Sequence, residues 1–304
     1  MVEPSARRRL AKHLVDNFEL SISKACYLSS ICTSTYYYRP TRDDSLIEQA
    51  LIALRDRHPR RGFDVFFHRL RAAGHPWNRK RVHRVYTKLG LQIRKPLKKR
   101  FPSREPEPLE QPARPMEAWS MDFMADALHN GRKIRVLNII DDFNRESIWQ
   151  DVQFSYPAAL VIRALDIISL ERGLPERIRV DNGPEYISKD LEAYCENRGV
   201  KLDFIEPGNP QQNAYVERFN RTYREDVLDA NWLMSLSHAQ QLTNEWREDY
   251  NNYHPHGSLD YQSPIAYRKS FHEGSRDQEA VKAKMNSVVP PSALTASCSQ
   301  QVAV

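Results

Sequence analysis

The chain has 304 residues, 40% of them apolar, and a formal charge of +6, which is room for one sizeable core with small domains beside it. The charge is uneven: residues 1–113 hold 24 Lys and Arg against 11 Asp and Glu (+13), and residues 114–304 hold 21 against 28 (−7). A basic front half predicts a polyanionic partner, most simply nucleic acid. The start, MVEPSARRRL, has no apolar stretch behind its charges, and the best apolar run, 158–170, is broken by Arg163 and Asp166. The composition therefore excludes a signal peptide and a membrane span, and the expected protein is soluble and intracellular.

Residues 1–41 read as a small all-α domain of two or three short helices. Leu10, Leu14, Val15 and Phe18 recur at helical spacing, and Ile22, Ala25, Cys26 and Tyr27 form a second apolar stretch. Helix, short turn, helix is the helix-turn-helix outline, which a plain packing bundle shares. A second helical domain is expected over 45–97. Ile47, Leu51 and Leu54 share one face, Val65, Phe66, Arg69 and Leu70 open another helix, and Asn78 is placed to cap a third. On that third helix Val82, Val85 and Leu89 line the core side, leaving Arg79, Lys80, Arg81 and Arg84 outward as candidate DNA contacts. Arg60 and Arg61, in the turn before the second helix, are candidate phosphate contacts. For the basic face of the third helix, a solvated charged face is the alternative.

Residues 94–114 carry five prolines, which forbids regular structure, and 98–113 is read as a linker. Its basic start, with Lys98, Lys99 and Arg100, is suited to lie along a DNA backbone. Beyond it the periodicity changes. Strands are predicted at 119–123, 134–140 and 148–154, a helix at 158–170 closed by Gly173 and Pro175, and a strand at 178–180. A helix at 189–198, a strand at 202–205 and a long helix entered through a Pro/Gly/Asn-rich loop follow. The order β-β-β-α-β-α-β-α means α/β, and with the carboxylates described next it suggests a ribonuclease H-like mixed-sheet core over 114–274. Residues 275–304 are polar and expected to be disordered. Cys26, Cys32, Cys195 and Cys298 lack metal-finger spacing, so neither a zinc site nor a disulfide framework is expected.

Three acids stand out. Asp122 interrupts an apolar strand in WSMDF, which is costly without a partner. Asp181 directly follows the strand 178–180 in VDNGPEY, at a strand's C-terminal end, where open α/β sheets build sites. Glu217 lies one turn into the long helix, on a face with Arg221 and Arg224 and apart from the stripe of Tyr215, Phe219, Tyr223 and Val227. Phosphodiester cleavage needs an activated hydroxyl and a stabilised leaving oxygen, and two divalent cations about 3.5–4 Å apart supply both. Mg²⁺ prefers oxygen ligands and keeps several waters, so a few carboxylates suffice. Taken singly, each acid also has a plain structural explanation: an edge ion pair, a turn former, a helix-surface acid.

Asp181 and Glu217 are separated by 35 residues. That spacing, with WSMDF, VDNGPEY, PGNPQQNAYVERFNRTYREDVLD at 207–229 and YNNYHPHGSLDYQSP at 250–264, resembles the DDE transposases. More narrowly it resembles the second-frame (OrfB-type) product of the IS-three family of bacterial insertion sequences. The resemblance spans roughly residues 20–270. It implies an integrase catalytic core using two Mg²⁺ (or Mn²⁺) ions, held by Asp122, Asp181 and Glu217 as catalytic residues, and strand cleavage and strand transfer at element ends. It implies a helix-turn-helix segment over 45–97, with Asn182 and Gly183 shaping the loop beside the second Asp. Asn213 is expected to face the site, and Arg221 and Arg224 to grip the DNA end. Double-stranded terminal-repeat and target DNA are the implied partners, with a homo-oligomer on DNA and the first-frame (OrfA) product as fusion or partner. The implied location is the bacterial cytoplasm, at the nucleoid. The sequence departs from the family at His254-Pro255-His256, where Arg-Pro-His is usual, and at Asn209, where a basic residue is common. An inactive terminal-repeat-binding regulator and a ribonuclease H-like nuclease without strand transfer are the rival expectations.

Overall fold

The computed structural model describes residues 4–37, 43–93, 109, 111–183, 186–206 and 210–273. The expected basic stretch Lys98–Arg100, most of the linker, Asn209, Cys298 and the C-terminal tail lie outside these. The chain divides into two compact units, 1–49 and 50–304.

The first unit holds α1 (Pro4–Phe18), α2 (Ile22–Leu28) and α3 (Thr33–Tyr37). Ser21 caps α2 by accepting the Lys24 N–H on its hydroxyl. The three helices close on the small buried side chains of Ala11, Ala25 and Cys26. Small residues there let the helix axes approach closely, which suits so short a chain segment.

Helix α4 (Ser45–Arg57) leads into the second unit, where α5 (Phe63–Ala72) and α6 (Arg79–Lys88) follow. The Asn78 carboxamide accepts the Lys80 N–H and starts α6 as the sequence suggests. Leu51, Phe66, Leu70, Val82, Val85 and Tyr86 are buried, which accounts for the helical spacing of these apolar positions.

The rest of the unit is a five-stranded sheet in the order β3-β2-β1-β4-β5. Its strands are β1 (Ala118–Ala127), β2 (Lys133–Asp141), β3 (Ser147–Gln153), β4 (Arg177–Val180) and β5 (Lys201–Phe204). β1, β2 and β3 pair antiparallel as a meander, and β4 and β5 add in parallel to β1. Helix α7 (Ala158–Arg172) makes the crossover to β4 and ends at Gly173, whose φ of 86° only glycine adopts cheaply. Helix α8 (Lys189–Asn197) makes the crossover to β5. This mixed order is that of the ribonuclease H-like fold expected above.

Side chains alternate across each strand, so the sheet has two apolar faces. Trp119, Met121, Leu137 and Ile139 meet Val161, Leu165 and Ile168 of α7 and Leu191 and Cys195 of α8. Met124, Ile134, Val136, Ile140 and Val152 meet the other helical layer, through Val216, Phe219, Tyr223, Trp246 and Tyr250. That layer is α9 (Ala214–Tyr223), a π-helical turn Arg224–Leu228, and α10 (Leu236–Tyr253), and a helix over 264–273 closes the described chain. The long helix expected after residue 213 is α9 continued by the π turn to Leu228, and residues 229–235 are non-helical before α10. The expected apolar stripe, Tyr215 to Val227, lies within α9 and the π turn, so its periodicity carried no sign of the change in helix type.

Candidate active site

Asp122 shares its strand face with Met124, the face covered by α9 and α10. In β1 and β2 it stands opposite Asn138, and Asn138 stands opposite Gln150 of β3. Three polar residues thus cross three buried strands at one register. Asn220 of α9 joins them: its Nδ2 donates to Asp122 Oδ2 at 2.6 Å, and its Oδ1 accepts from Asn138 Nδ2 at 2.7 Å. Gln150 Nε2 in turn donates to Asn138 Oδ1 at 2.9 Å. The second Asp122 oxygen accepts the Phe123 N–H at 2.8 Å. Sequence reading missed Asn220, Asn138 and Gln150. The available signal was a polar residue inside each of three apolar strands, a costly placement unless the groups satisfy one another.

Asp181 follows β4 immediately. β1 and β4 pair Ser120 with Arg179, and continuing that register by two residues brings Asp181 level with Asp122 on the neighbouring strand. Asp181 Oδ1 accepts the Gly183 N–H at 3.0 Å, and Asn182 Nδ2 donates to the Ile205 carbonyl at 2.8 Å, tying the loop to the end of β5. Glu217 is exposed on α9, one turn before Asn220. Burial pushes the Asp122 carboxyl up to about 6, and the charges of Asp181 and Glu217 push in the same direction, against the hydrogen bonds from Phe123 and Asn220. Asp181 and Glu217 are therefore close enough for their charges to act on Asp122. Among the described residues, however, no three such side chains are drawn tightly enough to hold an ion as they stand. Asn213 sits at the N-terminal end of α9, buried, with its Oδ1 lacking a hydrogen-bond partner among the described residues.

The integrase core domain family matches residues 112–210 and again residues 198–264. A protein of the insertion element IS407 from Burkholderia multivorans is 34% identical over 267 residues, 87% of this chain and 96% of the relative. The chain belongs to the insertion-sequence transposases. A protein of the insertion element IS476 from Xanthomonas euvesicatoria is 33% identical, over 94% of the transposase and 81% of the relative. Low calcium response locus protein T of Yersinia pestis is 40% identical over 125 residues, 41% of the transposase and 89% of that protein. The integrase core of the transposase makes it a DDE-type polynucleotidyl transferase that acts on DNA. No helix among its described residues is long and apolar enough to cross a membrane.

Several of the arginines expected to meet DNA pair with carboxylates of the transposase itself. Arg61, expected to meet phosphate, is buried: its Nε donates to Asp226 Oδ1 at 3.0 Å and its Nη2 to the Thr222 carbonyl at 2.9 Å, with Glu225 at 3.4 Å. Arg60 pairs with Asp229 at 2.8 Å, Arg79 with Asp64 at 2.6 Å, and Arg224 with Asp126 at 3.1 Å and the Ala125 carbonyl at 3.0 Å. Arg81 and Arg84 of α6 also have partners. Lys80 and Arg221 are exposed. Arg61 serves to hold the segment between α4 and α5 onto the π turn, where Trp246 Nε1 also donates to Asp226 at 3.1 Å. Arg69 of α5 reaches Asp249 of α10 in the same way, bidentately. His254 stacks on the Tyr250 ring, and His256 meets the same ring edge-on.

Proposed function

We propose that Asp122, Asp181 and Glu217 are the catalytic carboxylates of this transposase and that they hold two Mg²⁺ or Mn²⁺ ions. The observation that carries this reading is the electrostatic state of Asp122, buried beside two further acids with only amide donors around it. Carboxylate oxygens are the ligands that hard divalent cations prefer. A cation would also offset the burial, and after it the repulsion from Asp181 and Glu217, that lift the Asp122 carboxyl. Glu217, exposed with three rotatable bonds, is the member free to swing inward.

When bound, the cations activate the attacking hydroxyl and take up charge on the leaving oxygen. The chain's own part is positional. The Phe123 N–H and the Asn220 amide fix both oxygens of Asp122, while the Gly183 N–H fixes one oxygen of Asp181. Water first attacks phosphorus at the element's end, breaking the P–O3′ bond and leaving a 3′-hydroxyl and a 5′-phosphate. That 3′-hydroxyl then attacks a target phosphodiester, one P–O bond forming as another breaks, so joining needs no external energy source. Lys80 and Arg221 are the exposed cations proposed to meet DNA. Because two element ends must be brought together, a homo-oligomer on DNA follows, with the first-frame product as a further partner. The helices over 45–97 form the DNA-reading domain in this scheme, Arg60 and Arg61 being reassigned to internal ion pairs.

The test is strand cleavage and strand transfer on a labelled terminal-repeat duplex with Mg²⁺. Wild type is expected to yield both products, whereas Asp181→Asn yields neither and binds the duplex with unchanged affinity. Cleavage by Asp181→Asn at the wild-type rate overturns the assignment.

A further inference from the structure

A cavity of about 590 Å³ opens on the side of α9 away from Glu217, within the size range of small-ligand sites. Helix geometry separates the two faces. Tyr215, Arg218 and Thr222, at the i, i+3 and i+7 positions, line the cavity, while Asn220 points to Asp122. The remaining walls include Arg145 in the β2–β3 turn, Arg61, and the 254–261 segment with His256.

Arg145 is the unusual member. It is 7% exposed, and its Nη1 is buried with no hydrogen-bond partner among the described residues. Its guanidinium lies 3.4 Å over the Tyr215 ring, and its backbone adopts φ 63°. The charge of Asp142 and the Tyr215 ring offset part of the cost of burying this guanidinium, but a buried donor without a hydrogen bond, on a left-handed residue, still costs stability, which is unexpected unless a ligand supplies the missing partner. Arg218 is exposed and makes no ion pair among the described residues, whereas Arg61 is offset by Asp226 and Glu225. The one acid in the wall, Asp64, is engaged by Arg79. Burial and then the three guanidiniums, Arg145, Arg218 and Arg61, push the His256 imidazole down to about 3. His256 is therefore neutral, and its buried Nε2 is also without a partner.

We propose that this cavity is a second DNA contact, holding a backbone phosphate of a DNA strand between Arg145 and Arg218, with His256 Nε2–H as a further donor. A buried guanidinium nitrogen without a hydrogen-bond partner, an exposed arginine outside any ion pair among the described residues, and an orphaned ring nitrogen match a phosphate's oxygens, and the volume admits a nucleotide unit around it. The proposal rests on the chain acting on DNA and is independent of which acids hold metal.

The experiment uses the full chain in EDTA, so that cleavage plays no part, with a fluorescein-labelled 12-nucleotide single strand read by anisotropy across a NaCl series. Arg145→Met and Arg218→Met are each expected to weaken binding about tenfold and to reduce the slope of log K on log [NaCl] by about 0.7, the value for one phosphate contact on a single strand. Lys201→Met, at the exposed start of β5, is expected to change neither. Arg218 is exposed, so its variant keeps the test decisive if Arg145→Met fails to fold. Wild-type affinity and slope in Arg218→Met overturn the proposal, as does an equal loss in Lys201→Met, which would mark a general charge effect. Stabilisation of wild type but not Arg218→Met by inorganic phosphate or dAMP, with the oligonucleotide affinity unchanged, also overturns it in favour of a small-anion site.

Discussion

Replacing Asn220 with leucine tests whether the amide chain under the active site has the energetic weight its geometry implies. Leucine keeps the branched shape of asparagine, though it is larger, and its helix propensity is better, so α9 itself is not penalised. Two hydrogen bonds disappear. The bond to Asp122 Oδ2 is charge-assisted when Asp122 is ionised, worth about 1.5–3 kcal/mol, and the Asn138 Nδ2 donor, on a fully buried residue, is left unsatisfied at about 1–3 kcal/mol. The expected loss is about 3–5 kcal/mol, read as a fall in the urea midpoint at constant m-value. Asn138→Leu together with Asn220→Leu is expected to cost less than the two single changes added, because neither partner of that bond then remains orphaned. Strand transfer in Asn220→Leu is expected to fall about 10–100-fold, since Asp122 loses the group that orients it. A variant with the wild-type midpoint and wild-type strand transfer would refute the reasoning, because a buried donor cannot be orphaned at no cost.

Three further outcomes are expected. Arg61→Met leaves the Asp226 carboxylate, 8% exposed, short of its main counter-charge and is expected to cost about 3–5 kcal/mol by chemical denaturation. The salt dependence of its DNA binding should stay unchanged, and a loss of one phosphate contact in the slope would instead restore Arg61 as a DNA ligand. His58, whose pKa burial lowers to about 4 despite Asp249 at 3.8 Å, must be protonated against that burial as pH falls. Its folded pKa lies below the unfolded value, so the unfolded chain binds the proton first. His58 therefore contributes full stability above about 6.5 and loses it between pH 6.5 and 4, by about 3 kcal/mol. Buried Asp141 and Asp142, both raised to about 6, act in the opposite sense as pH falls, so the signature is the difference between wild type and His58→Leu, measured from pH 7 to 4. A difference that does not vary with pH would show that His58 is already charged when folded. Finally, Arg179→Met removes the guanidinium 3.1 Å from Asp142, whose side chain is fully buried. Among the described residues only Ser120 then remains within hydrogen-bond distance of that carboxyl, and thermal unfolding should show destabilisation of about 3 kcal/mol or more; an unchanged melting temperature would mean that Asp142 is neutral in the folded state.

Much of this protein could be read along the chain, because the relevant physics is local. A period of two or of 3.6 residues reports which side of an element is buried, and the order of the elements then restricts the sheet to few topologies. Asp122 inside a strand, Asp181 at a strand end and Glu217 in the first turn of a helix were each visible as positions, and their spacing carried the resemblance. The arginines were not readable in this way. Arg61 and Arg69 look like any basic helix-flanking residues until chain folding brings Asp226 and Asp249, 165 and 180 residues away, against them. The same holds for the amide chain, where Asn220 meets partners 98 and 82 residues distant.

The amino-acid order alone therefore determined the two-sided sheet, the helical preface and which acids are candidates, since each follows from short-range periodicity and residue chemistry. Only the tertiary structure decided which charges are spent on holding the helices to the core and which remain for a ligand. Pairing across more than a hundred residues depends on where surfaces meet, and that is a property of the packed layers rather than of any local stretch.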